Sequence, residues 1–149
     1  MLVAVTGASG LIGTALTRRL QADGHRVLRL TRSRPTGADQ VQWDPAAGRL
    51  NPDALAKADA VVHLAGANIG DKLRWTAREK RKILRSRVQG TALVARTMAE
   101  LAQSGGGPRV LVCASGAHYY GDRGDEVLTE ASGPGKGFLA GVVRQWEAA

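Results

Sequence analysis

Three glycines at regular spacing follow the first apolar run of the sequence. Gly7, Gly10 and Gly13 lie between a β-branched stretch and a segment with helical spacing of apolar residues. A strand, glycine turn and helix in this order bind dinucleotides, because the glycines permit a tight turn, a close pyrophosphate and close packing of the helix on the strand. An ordinary glycine-rich turn is the alternative. The residues predicted to bind the cofactor here are Gly7, Ser9, Gly10, Leu11, Ile12 and Gly13.

The end of the second apolar run bears on the choice of cofactor. Sites that prefer NAD usually place an acidic residue there for the ribose 2′-hydroxyl, whereas an arginine accommodates the 2′-phosphate of NADP. Here the run ends in Thr31, Arg32 and Ser33, and no acidic residue occurs between Asp23 and Asp39. The sequence therefore predicts NADP(H) as the cofactor, with Arg32 and either Ser33 or Arg34 at the 2′-phosphate. The alternative is that these arginines are exposed loop residues without a ligand.

The surrounding pattern predicts the elements that position these residues. Short apolar runs with the composition of strands alternate with longer segments of helical spacing. The strands are predicted over residues 2–6, 26–30, 41–43, 60–64 and 109–114, and the helices over 11–22, 52–58, 75–102 and 137–149. Apolar strands that alternate with helices are typical of a parallel sheet covered on both faces. The predicted fold class is α/β, a doubly wound, Rossmann-like parallel sheet in three α/β/α layers.

Composition excludes several classes of protein. The chain has 149 residues, of which 44% are hydrophobic, and one cysteine, Cys113, so an internal disulfide is impossible. No apolar run approaches the roughly 20 residues of a membrane span, and the N-terminus lacks a signal-peptide pattern. Scattered histidines and one cysteine offer no metal-ligand spacing. We expect one soluble, cytoplasmic domain without a metal site or a membrane contact.

A basic surplus indicates an anionic partner. Lysine and arginine number 21 against 13 acidic residues, a net charge of +8. Eight of the basic residues fall within 16 residues at the start of the predicted third helix and just before it: Lys72, Arg74, Arg78, Lys80, Arg81, Lys82, Arg85 and Arg87. A solvated helix face explains them, and a polyanion-binding surface is the alternative. No helix-turn-helix, zinc or RNA-binding signature is present, so a nucleic-acid partner is not expected.

Four further segments complete a family pattern. They cover residues 62–66, 86–91, 119–126 and, taken together, 138–140 with 146–149. With the Gly-x-x-Gly-x-x-Gly spacing, they resemble the extended branch of the short-chain dehydrogenase/reductase superfamily, the NAD(P)-dependent epimerases and dehydratases of nucleotide sugars. The atypical epimerase family proteins, some labelled cell-division inhibitors, are the most similar subgroup. Since relatives are longer, the resemblance implies that 1–149 is a truncated chain, an NADP-binding domain without the C-terminal substrate domain.

The resemblance also implies further cofactor contacts, and it places Thr31 and Arg32 at the adenosine ribose. Leu64, Ala65 and Gly66 correspond to the superfamily's Ala-Gly step, which runs along a cofactor ribose and needs small residues for close approach. Arg87 stands where the atypical relatives carry an arginine directed at the cofactor phosphates. A solvated helix arginine is the alternative reading of that position.

The catalytic pattern of the relatives is incomplete in this sequence. They use a serine and a Tyr-x-x-x-Lys pair, in which the tyrosine exchanges a proton with a carbinol or carbonyl. Ser115 lies in the expected neighbourhood, although Gly116 could hold the strict position. The tyrosine and lysine positions fall on Phe138 and Val142, which have no proton to exchange.

The candidate catalytic residues are therefore Ser115, Tyr119 and Tyr120, although the tyrosines could equally shape a loop. One hypothesis is an NADP-dependent epimerase- or dehydratase-like oxidoreductase with a nonstandard acid. Its substrate would be a small molecule, either a nucleotide sugar or a similar carbonyl or carbinol compound. The second hypothesis is an NADP(H)-binding sensor or scaffold without turnover, and the third is the polyanion binder. Association into a homodimer is left open.

Overall fold

The computed structural model describes residues 1–70 and 74–149. Its strands and helices alternate along most of the chain. In chain order they are β1 (Leu2–Thr6), α1 (Leu11–Ala22), β2 (Arg26–Thr31), β3 (Gln40–Asp44), β4 (Arg49–Leu50), α2 (Pro52–Leu55), β5 (Ala60–His63), α3 (Ala77–Gln103), β6 (Val110–Cys113), a 3₁₀ turn (Ala117–Tyr120) and α4 (Phe138–Glu147). No helix within these described ranges is long and apolar enough to cross a bilayer.

The six strands form one sheet in the order β4-β3-β2-β1-β5-β6. All neighbouring pairs are parallel except β3 and β4, which are antiparallel. The predicted α/β fold with a Rossmann-like sheet is confirmed. The sequence pattern missed β4, because a two-residue strand is too short to show a period. Gly48, at φ +65°, reverses the chain between these two strands.

Alternating residues of β1 face two different layers of helix. Val3 and Val5 belong to a buried cluster against which Leu16 of α1 packs. Ala4 belongs to the opposite cluster, which contains Leu93 of α3. The sheet is thus covered on both faces, as the three predicted layers require.

Capping explains where the longest helix begins. Thr76 is the N-cap of α3, and its hydroxyl oxygen accepts a hydrogen bond from the Glu79 N–H at 3.3 Å. Threonine is a favoured N-cap residue, and this cap places the start of the helix at Ala77 rather than at residue 75, where we predicted it. The predicted second helix is also shorter, since α2 ends at Leu55.

Candidate functional site

A cavity of about 680 Å³ opens where β1, β2 and β5 end. Ligands of doubly wound sheets bind at this edge, outside the carboxyl ends of the strands. The lining residues are Gly7, Ala8, Ser9, Gly10, Arg29, Leu30, Thr31, Arg32, Ser33, Gln40, Trp43, Asp44, Pro45, Ala46, Leu64, Ala65, Gly66, Lys82, Arg85, Ser86 and Gln89.

Two glycines of the first loop cannot be replaced without moving backbone atoms. Gly7 has φ +68°, and a Cβ there would lie 2.9 Å from the Leu64 carbonyl carbon and oxygen. A Cβ on Gly13 would lie 2.2 Å from the Gly7 carbonyl oxygen. The loop therefore folds tightly against β5 and α1, the geometry that the sequence spacing predicted.

The N-terminus of α1 is open toward solvent. Gly10 is the N-cap and has no side chain to accept from the first-turn N–H groups, and that turn contains no acidic residue. Leu11 and Ile12 are 93% and 67% exposed beside it, outside the lining of the cavity, whereas Gly13 is buried beneath. Unpaired N–H groups and the helix dipole attract anions, so this end suits a pyrophosphate.

The end of β2 supplies a basic wall. Thr31, Arg32 and Ser33, all predicted cofactor residues, line the cavity together. Arg29, which the sequence analysis did not single out, lines it too. Its Nη2 pairs with an Asp39 oxygen at 2.6 Å, while its buried Nε has no hydrogen-bond partner in the described part of the chain. A buried donor without a partner at the cavity wall fits a polar or anionic ligand.

A buried threonine holds the end of β5 against β1. The Thr6 hydroxyl oxygen accepts hydrogen bonds from the N–H groups of Leu64 at 3.1 Å and Ala65 at 3.2 Å. The same hydroxyl lies 2.7 Å from Nδ1 of the buried His63. Because its oxygen already accepts two bonds, we infer that the hydroxyl donates to Nδ1. These bonds fix the backbone of residues 64–66 at the cavity.

The neutral state of His63 follows from its environment. The side chain is fully buried, and burial lowers its pKa to about 4. Its Nε2 has no partner among the described residues, and its ring lies edge-on to Trp43, with the two centroids 5.8 Å apart. His63 is thus a core residue that holds the loop through Thr6.

Arg87 lies behind the loop that follows β5. Its Nη1 donates to the carbonyls of Ala67 at 3.0 Å and Ile83 at 3.2 Å, and its guanidinium lies 5.1 Å from the Trp146 ring centroid. Burial lowers its pKa, although it remains a cation. A Cβ on Gly66 would lie 3.3 Å from its guanidinium carbon. The structure thus places Arg87 next to Gly66, although Arg87 does not itself line the cavity.

One face of α3 forms a wall that the sequence analysis missed. Its members recur at helical spacing: Lys82, Arg85, Ser86 and Gln89. Lys82 and Arg85 belong to the basic stretch that we read as a solvated face, so part of that stretch faces the cavity. Lys72 of the same stretch lies outside the described residues. The helical spacing of these four residues shows that they share one face of α3, but the sequence does not show that this face is turned toward the cavity.

The end of β3 and the loop after it line the cavity as well. Trp43 is buried, and Asp44 accepts from the N–H groups of Ala46 at 3.1 Å and Ala47 at 3.0 Å. The bond from Ala47, with those from Arg49 and Ala46, lowers the pKa of Asp44. The Asp44 carboxylate therefore stabilises the turn that follows β3 through these hydrogen bonds.

The candidate catalytic residues lie beyond the cavity, after β6. Ser115 donates a hydrogen bond to the carboxylate of Glu147, which the sequence analysis did not single out. The rings of Tyr119 and Tyr120 meet edge to face, with centroids 5.2 Å apart. No residue of this group lines the cavity.

The positions expected for tyrosine and lysine are apolar in the structure as well. Phe138 packs against Trp75, with ring centroids 5.9 Å apart. The Lys80 Nζ lies over the Phe138 ring, 5.3 Å from its centroid. Val142 is buried in the core. In residues 1–70 and 74–149, no group of three His, Cys, Asp or Glu side chains could hold a metal ion.

A model of the NAD dependent epimerase/dehydratase family matches residues 3–137. The chain belongs to this family. Epimerase family protein MT2273 of Mycobacterium tuberculosis is 40% identical over 147 residues, which are 99% of this chain and 47% of that protein. Human epimerase family protein SDR39U1 is 36% identical over 151 residues, which are 100% of this chain and 48% of that protein. The chain thus spans about half the length of these relatives, and the resemblance drawn from its motifs is confirmed.

Solved structures show the same fold. The nucleoside-diphosphate sugar epimerase of Corynebacterium glutamicum is 41% identical with a TM-score of 0.82, over 99% of this chain and 29% of that one. Human SDR39U1 with NADPH is 35% identical with a TM-score of 0.82, over 99% of this chain and 48% of that one. MoeE5 in complex with UDP-glucose and NAD is 27% identical with a TM-score of 0.79, over 99% of this chain and 47% of that one.

Proposed function

We propose that this chain is the NADP(H)-binding part of an epimerase- or dehydratase-like oxidoreductase. The observation that carries the proposal is the end of β2, where Thr31, Arg32 and Ser33 line the cavity. An arginine with neighbouring hydroxyl groups suits the 2′-phosphate of NADP, whereas the acidic residue typical of NAD sites is missing between Asp23 and Asp39.

The residues present fit the dinucleotide from one end of the cavity to the other. Gly7 and Gly10 leave room for the pyrophosphate at the N-terminus of α1, and Arg32 would hold the 2′-phosphate. The small residues Ala65 and Gly66 would lie along the second ribose. When bound, the cofactor supplies a hydride acceptor or donor, and these residues bind and orient it.

A nucleotide sugar is the substrate class that we propose. Two of the similar structures are a nucleoside-diphosphate sugar epimerase and a protein in complex with UDP-glucose and NAD. The cavity of this chain is lined by cofactor-type residues, so the sugar would bind beyond it, toward β6 and the residues that follow. Conversion of UDP-glucose in the presence of NADP⁺, followed by NMR of the sugar product, tests this part of the proposal, because epimerisation and dehydration leave no net reduced cofactor.

A binding module without turnover is the second candidate. The apolar contacts of Phe138 and the burial of Val142 favour it, because the family's tyrosine and lysine are missing at those positions. Binding of NADPH without turnover of any carbonyl or nucleotide sugar would favour the module over the enzyme.

Substitution of two neighbouring arginines, followed by measurement of NADPH affinity, tests the proposed cofactor. We expect Arg32→Gln to weaken NADPH binding about ten-fold or more, the usual effect of losing a charged hydrogen bond to phosphate. Arg34→Gln is the matched control, because Arg34 is exposed but does not line the cavity. Equal losses in both variants would mean that only net charge matters and that Arg32 does not contact the phosphate.

A further inference from the structure

A serine and a glutamate that are 32 residues apart in the sequence meet at the edge of the sheet. The Ser115 hydroxyl donates to a carboxylate oxygen of Glu147. Ser115 follows β6, and Glu147 is the last residue of α4. Both side chains are exposed, so the pair is accessible to a ligand.

The register of the sheet places this pair beside the cavity. β5 and β6 are parallel, with His63 opposite Cys113, and the Ala114 N–H donates to the His63 carbonyl at 3.0 Å. Two residues farther along, Ala65 and Ser115 leave adjacent strands at the same edge. Neighbouring strands lie about 4.8 Å apart, and Ala65 lines the cavity. The cavity crosses the ends of β3, β2, β1 and β5, so Ser115 stands next in that row.

We propose that Glu147 is the proton-accepting group of this site and that Ser115 relays the proton to it. The inference rests on the proposed function, since it needs a hydride-carrying cofactor in the cavity. It assigns to a carboxylate the part that the family's tyrosine plays.

Contacts of the neighbouring residue hold the glutamate in place. Trp146 is buried, and its Nε1 donates to the Thr91 hydroxyl at 2.9 Å. The Arg87 guanidinium lies over the same indole and behind Gly66 of the cavity wall. Glu147 is therefore fixed through Trp146 relative to both α3 and the loop that borders the cavity.

The other candidates are less well placed. Phe138 lies nine residues before Glu147 on α4, about 13 Å along a helix axis, and its ring packs on Trp75. The tyrosines of the 3₁₀ turn contact each other, and neither hydroxyl has a hydrogen bond to Ser115 in the described part of the chain. Among the described side chains with an exchangeable proton, Glu147 is the one that Ser115 contacts.

The proposed step balances in atoms and electrons. In the oxidation of a carbinol, the substrate O–H bond breaks and its proton moves to Ser115 Oγ while the Ser115 proton moves to a Glu147 carboxylate oxygen. The electron pair left on the substrate oxygen forms the second C–O bond as the C–H bond breaks. The hydrogen leaves as hydride to the nicotinamide, so the substrate loses two electrons and the cofactor gains two. Glu147 ends neutral, and the reverse sequence reduces a carbonyl.

The charge of the nicotinamide provides a direct test of this placement. The ring is cationic in NADP⁺ and neutral in NADPH, so a carboxylate beside it favours the oxidised form. We expect the ratio of Kd for NADP⁺ to Kd for NADPH to rise about five-fold in Glu147→Gln. Glu100→Gln is the matched control, because Glu100 is an exposed glutamate near the far end of α3, paired with Arg96 at 3.9 Å.

Two further variants separate charge from shape. Glu147→Asp keeps the carboxylate and should keep the ratio within about two-fold of wild type. Ser115→Ala removes the relay hydroxyl but leaves the charge, so it should also keep the ratio. Thermal unfolding of each variant shows whether the fold is retained.

The outcomes distinguish this inference from the proposed function. A purely structural Glu147 would change the Kd of both cofactor forms by the same factor, or of neither, and would overturn the inference while NADPH binding stands. Failure of the wild-type chain to bind either form would overturn the proposed function and the inference with it.

Discussion

The two ends of the site differ in how closely they follow the family pattern. At the β1 and β2 end, the glycine loop, the open N-terminus of α1 and Arg32 border the cavity in the arrangement that the family pattern predicts for a dinucleotide, and we call them the cradle. At the β6 end, Phe138 and Val142 occupy the positions of the proton-transfer pair, and Ser115 contacts Glu147 instead. In our proposal, cofactor binding and proton transfer therefore depend on separate sets of residues.

The difference has a physical basis. Binding of a pyrophosphate constrains the backbone, because steric exclusion leaves room for nothing larger than hydrogen at Gly7 and Gly13. Proton transfer constrains only the position of one titratable group, which can come from different points of a neighbouring helix. Gly7 and Gly13 thus tolerate no larger residue, whereas another side chain on α4 could supply the proton-transfer group, as we propose for Glu147.

The largest expected effect is at the cradle, for Gly13→Ala. The added Cβ would lie 2.2 Å from the Gly7 carbonyl oxygen, so backbone must move, and we expect a loss of about 3 kcal/mol or more in unfolding free energy. NADPH binding should be lost as well. Gly141→Ala is the control, since this helical glycine of α4 has nothing within 4 Å of its added Cβ. Denaturant unfolding measures the unfolding free energy of both variants. Equal values would contradict the steric limit at Gly13.

A second prediction concerns His63, which is buried beneath the cradle. The pKa of His63 is about 4 in the folded chain against an ordinary value of 6.5. As the pH falls below 6.5, the unfolded chain takes up the proton first, so the contribution of His63 to stability falls between pH 6.5 and 4 and does not change further below that. The loss at this group reaches up to about 3 kcal/mol.

His63→Asn removes this titration and keeps an acceptor for the Thr6 hydroxyl. The variant should show a shallower decline of unfolding free energy between pH 6.5 and 4 than wild type, whatever its stability at neutral pH. His118→Asn, at an exposed position, should keep the wild-type slope. Parallel pH profiles for wild type and His63→Asn would show that His63 titrates normally.

The smallest effect is expected at the wall of α3. Lys82→Gln with Arg85→Gln should weaken NADPH binding by about three- to ten-fold, with the loss shrinking at high salt, because exposed charges are screened. Arg78→Gln with Arg81→Gln removes two exposed charges that do not line the cavity and should change the affinity less. If the two pairs lose affinity equally, the basic stretch acts through net charge, as the polyanion-binding alternative requires.

Local patterns made much of the fold and cradle predictable. Apolar runs marked five of the six strands, and glycine spacing marked the loop, since both depend on neighbours in sequence. Arg29, Gln89 and the α3 wall were not predictable, because which face of an element meets a cavity depends on packing. The contact between Ser115 and Glu147 was missed for the same reason: it joins a strand end to a helix end far along the chain.

The most direct test of the account is a titration of the wild-type chain with NADPH and, separately, with NADH. Arg32 at the end of β2, with no acidic residue between Asp23 and Asp39, predicts that NADPH binds about ten-fold or more tightly than NADH. Circular dichroism on the same sample confirms that the chain is folded. Equal affinities, or tighter binding of NADH, would contradict the assignment of this site to NADP(H).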